Sequence, residues 1–288
     1  MVRQAKTKCY LCDCIEHSRR PGKVRDNASL EIFECQHCGL VFLSRTELPE
    51  GFYEQSGMHN GGPQPVVSWL HDTDRDDERR FRYLSETMTN RDVLDFGCGV
   101  GGFLLKARSA AHHVMGIELE ARLQPHFQDN GLDVFQSVDA LPSDQRFNLI
   151  TAFHVLEHLE DPANILRQLA TRLLGGGGIF IEVPSSSDAL LTLYESTPFS
   201  EFTYWSCHRY LFNAANLPRL AKKAGLKLDF VSYIQRYPLS NHLHWLAKGK
   251  PGGHQVWSFL DSEELHRAYE ARLAALGITD TLIASLSR

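Results

Sequence analysis

From Arg91 onward the apolar positions fall into short runs closed by glycine or polar turns, each followed by a stretch with helical spacing. "DVLDFG", "HVMGIELE", "LDVFQS", "FNLITAF", "GGIFIEVPS" and "LKLDFVSYIQ" read as strands. "GFLLKARSA", "ARLQPHFQDNG", "ANILRQLATRLL" and "NAANLPRLAKKAG" between them read as helices, and "FNLITAF" runs on into a helical "HVLEHL". Such alternation predicts an α/β fold, a doubly wound and mostly parallel Rossmann-like sheet, over residues 89–237. Upstream, "LEIFEC" and "GLVFL" have the two-residue period of short strands, inside a module spanning 1–47. Residues 48–88 combine the turn-rich "SGMHNGGPQP" with "HDTDRDDERRFRYLSETM", an amphipathic helix that leads into the core as a lid arm. Residues 238–288 form a helical C-terminal extension, closing in an amphipathic helix around Leu260–Leu276. "GGGG" at Gly175–Gly178 reads as a flexible helix-to-strand turn.

The 288 residues suit one enzyme-sized domain with attachments, and 43% hydrophobic with 23% charged residues is the composition of a globular chain. A formal net charge of −5 gives no broad attraction to nucleic acid or to an anionic membrane, so both are disfavoured as partners. The amino terminus has no apolar stretch suited to a leader, and no run of 18 apolar residues occurs, so the expected location is cytoplasmic. Seven cysteines in a reducing compartment point to metal ligands or buried thiols. Cys9, Cys12, Cys35 and Cys38 form two CxxC pairs, each able to aim two sulfurs at one centre, and together they predict a structural zinc site. Cys14 is a spare thiol that could compete as a ligand. Four thiolates around zinc leave no open position for substrate, and some 45 residues could hardly hold a core without the metal.

The glycines Gly97, Gly99 and Gly101 follow the first strand of the core and precede a helix, where bare backbone lets a ligand approach. A dinucleotide turn would face a pyrophosphate, which the fixed carboxylate of Asp95 would repel, and its glycines would be spaced G-x-G-x-x-G. Glu118 ends the next strand, where such folds hold ribose hydroxyls, and Asp139 follows the third. The ordered stretches "VLDFGCGVG", "GIELE", "VDALP", "FNLITAFHVLEHLEDP" and "LLGGGGIFIEVP" resemble the class I S-adenosylmethionine-dependent methyltransferases over roughly residues 90–237. That resemblance implies a seven-stranded sheet and S-adenosylmethionine as cofactor. Under it Asp95, Gly97, Cys98, Gly99 and Gly101 lie beneath the methionine part, with Cys98 a small buried side chain. Glu118 with Leu119 holds the ribose, Asp139 with Ala140 flanks the adenine, and Phe153 with His154 closes the pocket. The paired-cysteine ribbon and the connecting "LPEGFYEQSGMH" resemble bacterial sugar methyltransferases, which implies an acceptor that is a sugar or nucleotide-sugar; this chain is too short for the further domain of the C-methylating enzymes among them.

Methyl transfer from a sulfonium depends chiefly on holding the nucleophile in line with the methyl group, and a base helps when the acceptor must lose a proton. Candidates for that work are His158 and His208, with Glu157 beside them in "HVLEH". On a helix His154 and His158 would share a face. H-x-x-E-H with a later histidine also resembles the magnesium site of some small-RNA 2′-O-methyltransferases, with His154 where those enzymes have glutamate; packing and capping roles remain open for all of these side chains. Expected acceptor contacts are Tyr53 and His59 from the arm, Tyr204, and Asn241 and His244 from the extension. The expected activity is O-methylation of a small molecule. C-methylation of a keto-sugar nucleotide, an RNA or protein methyltransferase using the ribbon for recognition, a non-catalytic module and a dinucleotide oxidoreductase are the alternatives. The oligomeric state stays open, a homodimer included.

Overall fold

The computed structural model describes residues 7–44, 48–55, 57 and 62–288. Near the amino terminus lie three short strands, β1 (His17–Arg19), β2 (Ile32–Cys35) and β3 (Val41–Leu43), paired antiparallel in that order. The core strands follow: β4 (Asp92–Phe96), β5 (His113–Ile117), β6 (Asp133–Phe135), β7 (Phe147–Phe153) and β8 (Leu173–Pro184). Two-residue β9 (Tyr210–Leu211) pairs back to β3, so the ribbon sheet takes its fourth strand from the core's own chain. Strands β10 (Lys227–Ile234) and β11 (Thr281–Ser287) complete a seven-stranded sheet of order β10-β11-β8-β7-β4-β5-β6.

Strands β4 to β8 run parallel, and β11 lies antiparallel to both of its neighbours. Helices cover the sheet, which is why its strands are continuous apolar runs rather than alternating ones. Val93, Leu94, Ile150, Ile179 and Val183 lose all their exposure there. The Rossmann-like fold expected from the pattern is thus the one observed. The extension beginning at residue 238 does more than cover the core, because its residues Thr281–Ser287 are the strand between β8 and β10. Nor is the glycine run a turn: Gly175–Gly178 lie within β8, where the pairing with β7 slips between Phe147 and Leu149 and Gly176 has φ of +77°.

The arm helix, Val66–Met88, is longer than the charged segment that predicted it and buries Asp77, Arg80, Leu84 and Met88. Its approach to the core requires bare backbone: a Cβ on Gly102 would meet Asp77 Oδ2 at 2.2 Å. At Gly97, φ is +74° and a Cβ would stand 2.5 Å from Val155 Cγ2, so both conformation and space demand glycine. Helix Pro162–Thr171 starts where its residue types say it should, with Asp161 accepting the Asn164 N–H at 3.0 Å and proline in the first turn.

Candidate active site

β4 hands the chain to the Gly97–Gly101 turn at the carboxyl edge of the sheet. Asp95 lies beneath it, 3% exposed, and accepts a hydrogen bond from Thr151 Oγ1 at 2.7 Å. Burial pushes its carboxyl up to about 7. Glu118, just past β5, accepts from the Gly99 N–H at 2.9 Å and the Glu120 N–H at 3.0 Å, and burial raises its pKa as well. Two carboxylates therefore flank one amide-lined turn, a setting that suits a ligand with a cationic end and a hydroxyl-bearing part. The arm helix covers the turn, since a Cβ on Gly99 would be 3.2 Å from the Trp69 indole. Leu119, Asp139 and Ala140 are exposed beside this edge. The Cys98 thiol is buried and pushed well up by that burial, which makes it inert as a nucleophile.

On the other side of the edge the chain leaves β7 through His154, whose φ is +55°, and makes a single 3-10 turn at Leu156–His158. His154 and His158 do not share a helix face as expected. His154 is instead held between two acids, Nδ1 at 3.3 Å from Glu157 Oε1 and Nε2 at 3.0 Å from Glu182 Oε1, with Arg236 Nη1 at 3.1 Å from the same Nε2. Burial and Arg236 disfavour its charged form, but the two carboxylates outweigh them and raise its pKa. Glu182 is fully buried and also receives both oxygens' worth of Arg79 (2.9 Å each) and Arg80 Nη2 at 2.8 Å. Asp76 closes the set by accepting from Arg236 Nε at 3.1 Å. The arm helix thus plugs its arginines into the sheet edge. Phe153 packs on Phe103 with ring centroids 5.0 Å apart, under the Arg80 guanidinium.

His158 is 7% exposed, and its Nδ1 lies 3.2 Å from the Cys207 carbonyl, so an N–H there leaves Nε2 with a free lone pair. Its ring meets that of His208 at 4.7 Å and 76°. Tyr53 donates to the His158 carbonyl at 3.3 Å and stands edge-on to the ring. Glu157 Oε2 is buried without a hydrogen-bond partner among the described residues.

The profile of a methyltransferase-domain family matches residues 69–230. The chain belongs to that family. Fold and family together make it a class I S-adenosylmethionine-dependent methyltransferase. A ubiquinone biosynthesis O-methyltransferase of Coxiella burnetii is 28% identical over 178 residues, which is 56% of this chain and 75% of the relative. The protein of that description in Aeromonas salmonicida is 32% identical over 168 residues, 52% of this chain and 68% of the relative. Among solved structures, a SAM-dependent methyltransferase of Archaeoglobus fulgidus superposes with TM-score 0.51 at 20% identity, covering 77% of this chain and 99% of the other. Magnesium protoporphyrin IX methyltransferase of Synechocystis PCC 6803, solved with bound SAH, gives 0.50 at 12% identity over 82% and 96%.

In this methyltransferase the four cysteines expected to bind zinc do converge. Cys9, Cys12, Cys35 and Cys38 have their sulfurs within 4.8 Å of one another, with Cys9–Cys38 and Cys12–Cys35 both at 3.5 Å. The donor set fits a tetrahedral zinc ribbon. Cys14 is outside it, its sulfur accepting from the Glu16 N–H at 3.4 Å. Three expected acceptor contacts are committed elsewhere. Tyr204 is 1% exposed in the small core of the ribbon with Ile32, Val41 and Leu211. His244 lies 2.8 Å from the Lys250 carbonyl and packs on Trp257, while Asn241 meets His254 at 3.3 Å. His59 lies outside the described residues. Sequence reasoning missed Glu182, Arg79, Arg80, Arg236 and Cys207. An acid ending the apolar run "IFIEVP" was the available signal for Glu182.

Proposed function

We propose that this methyltransferase transfers the methyl group of S-adenosylmethionine to a hydroxyl of a small-molecule acceptor. Asp95 and the turn Gly97–Gly101 would take the amino-acid end of the cofactor and Glu118 the ribose. The Glu157, His158 and His208 corner would activate the acceptor hydroxyl for loss of its proton. One observation carries this reading: an imidazole whose Nε2 lone pair is left over by an N–H at Nδ1, and a buried carboxylate oxygen with no hydrogen-bond partner among the described residues, stand at the edge of the sheet one residue stretch from the Gly97–Gly101 turn. Val155 links the two, since its side chain closes against Gly97. Oxygen as the methylated atom is supported by the relatives, whose names are those of O-methyltransferases of ubiquinone biosynthesis. A sugar or nucleotide-sugar acceptor draws no support from Tyr204, Asn241 or His244, which serve internal packing, so the acceptor is held to a small-molecule hydroxyl. The amino-terminal module would carry a structural zinc ion on Cys9, Cys12, Cys35 and Cys38, and the arm would act as a lid. Among the described residues no helix is long and apolar enough to cross a membrane.

Titration calorimetry with S-adenosylmethionine, followed by S-adenosylhomocysteine release across a panel of phenols, catechols, sugars and amines, tests the proposal. Binding of the cofactor with turnover on hydroxyl acceptors supports it; turnover confined to amines, or no cofactor binding by the folded protein, overturns it.

A further inference from the structure

We infer that His158, Cys207 and His208 form a second transition-metal site, separate from the four-cysteine cluster, which takes a zinc-class divalent cation and presents an open position to the acceptor hydroxyl. Their ligand atoms all lie within 4.8 Å of one another. Two of the three are fully or nearly buried, Cys207 with no exposure and His158 with 7%. Nδ1 of His158 already has the kind of partner that metal-bound imidazoles use, the Cys207 carbonyl at 3.2 Å, and an N–H there leaves the Nε2 lone pair for an ion. Tyr53 braces the same residue from the arm.

The donor set selects the ion. Two imidazoles and a thiolate suit zinc or a neighbouring late transition metal and are poor ligands for magnesium, which needs oxygen. The oxygen-rich arrangement suggested by the H-x-x-E-H pattern does not form, because Glu157 Oε1 faces His154 at 3.3 Å and Glu157 is not among the converging ligands. Three protein ligands leave a fourth position free, as in catalytic rather than structural zinc sites. The four-cysteine cluster has no such vacancy.

The role of the site rests on the reading of the protein as an O-methyltransferase; its metal content does not. An acceptor R–OH entering the open position has its hydroxyl acidified by the cation. Its proton leaves to solvent water, past Glu157 Oε2, which is buried without a hydrogen-bond partner among the described residues. The alkoxide or phenolate lone pair then forms the O–CH₃ bond while the S–CH₃ bond breaks, and that electron pair returns to sulfur, leaving a neutral thioether and the methyl ether. No oxidant or reductant is involved.

The test uses the full chain, stripped with chelator, dialysed against zinc and counted by plasma mass spectrometry. Two zinc ions per chain are expected, falling to one in Cys207→Ser and, independently, in His208→Gln. Cobalt substitution should add a second, weaker and less sulfur-rich absorption band that those two variants lose and Cys35→Ser keeps. One zinc per wild-type chain, lost only in Cys35→Ser, overturns the inference, as do two zinc ions that survive both variants. Cofactor titration on the same samples separates the failures. Two zinc ions without S-adenosylmethionine binding would sink the methyltransferase proposal and leave the site; cofactor binding and hydroxyl turnover with a single zinc would do the reverse. Turnover in His208→Gln should fall on the order of a hundredfold, since activation of the acceptor is lost while the cofactor still binds.

Discussion

The two metal-ligand clusters are built on opposite principles. The ribbon cluster draws four sulfurs from two tight turns and would surround an ion completely, which suits a structural role. The His158, Cys207 and His208 cluster draws one ligand from the turn after β7 and two from a loop 49 residues further on, and its three donors leave a fourth coordination position unfilled. Local spacing makes a site that holds the fold together, whereas tertiary assembly makes a site that depends on the fold. The ribbon nevertheless reaches the second cluster. β3 pairs with β9, directly after His208, and Asn213 donates to the carbonyl of Gly39 beside Cys38 at 3.0 Å.

The sharpest way to break this contrast is to exchange one sulfur in each cluster. Cys35→Ser should remove the ribbon ion and cost several kcal/mol of stability, because metal binding and ribbon folding are one event. A melting temperature lower by roughly 10 °C or more is expected from about 2–4 °C per kcal/mol in a chain of this size class. Cys207→Ser, a near-isosteric change, should move the melting temperature by only a few degrees. Equal shifts in calorimetry would show that the division into structural and catalytic clusters is wrong.

Next in size is Glu182→Gln. The charge it removes faces Arg79, Arg80 and His154 in a closed setting, and although each keeps a second acid in Asp76, Asp77 or Glu157, breaking a buried ion network of this kind costs up to about 3–5 kcal/mol. The damage should reach the arm before the ribbon: protease digestion near the Val66–Met88 helix is expected to accelerate while zinc content stays at the wild-type value. Resistance equal to wild type would mean that the arm is not anchored by this carboxylate.

What could be read from the chain follows the same division. The grouping of the Gly97–Gly101 turn with Asp95 and Glu118 was legible because they occupy consecutive strand ends in one stretch of sequence, and each CxxC pair is a local turn. Cys207 was not, since its meaning depends on His158 lying opposite it. β11 was hidden for a related reason: "TLIASLS" follows a long helical excursion and inserts between β10 and β8, which end some 50 to 100 residues earlier, and no local pattern encodes that return. The glycine run within β8 reads as a turn because glycine weakens strand signals even where the ladder continues. The spacing of His154 and His158 implies a shared helix face, which the left-handed backbone of His154 excludes; its ring lies instead between Glu157 and Glu182.

Acidity offers a gentler probe of that ring. Burial alone would raise Glu157, but the hydrogen bond with His154 and the nearby imidazoles outweigh it and hold the carboxyl at about 2, against an ordinary 4.5. Its folded-state pKa is depressed, so its stabilisation is present above 4.5 and is lost as pH falls from 4.5 toward 2. His154 is raised from 6.5, so its share is complete below 6.5 and fades as pH rises through the raised value. Both are fully expressed only between those limits. Melting curves across the acid range should therefore decline less steeply in His154→Gln than in wild type, and parallel declines would detach the pair from acid stability.

The smallest effect expected is at the cofactor turn, and it has the opposite sign. Asp95 is raised to about 7, first by burial and further by the charges of Asp77 and Glu118, against the Thr151 hydrogen bond and Arg80. Between its ordinary 3.8 and about 7 the folded chain holds the extra proton, so this carboxyl loses stability as pH rises. A cationic ligand over the turn favours the ionised form and must expel that proton. Affinity for S-adenosylmethionine should then climb by up to about tenfold per pH unit below 7 and level off above it. Titration calorimetry in buffers of different ionisation enthalpy should detect up to one proton released per cofactor bound at low pH and none at high pH. Asp95→Asn should abolish the slope and bind like the protonated wild type throughout. A pH-independent wild-type affinity would mean that the cofactor's charge is met elsewhere, with Glu118 the remaining carboxylate at the turn.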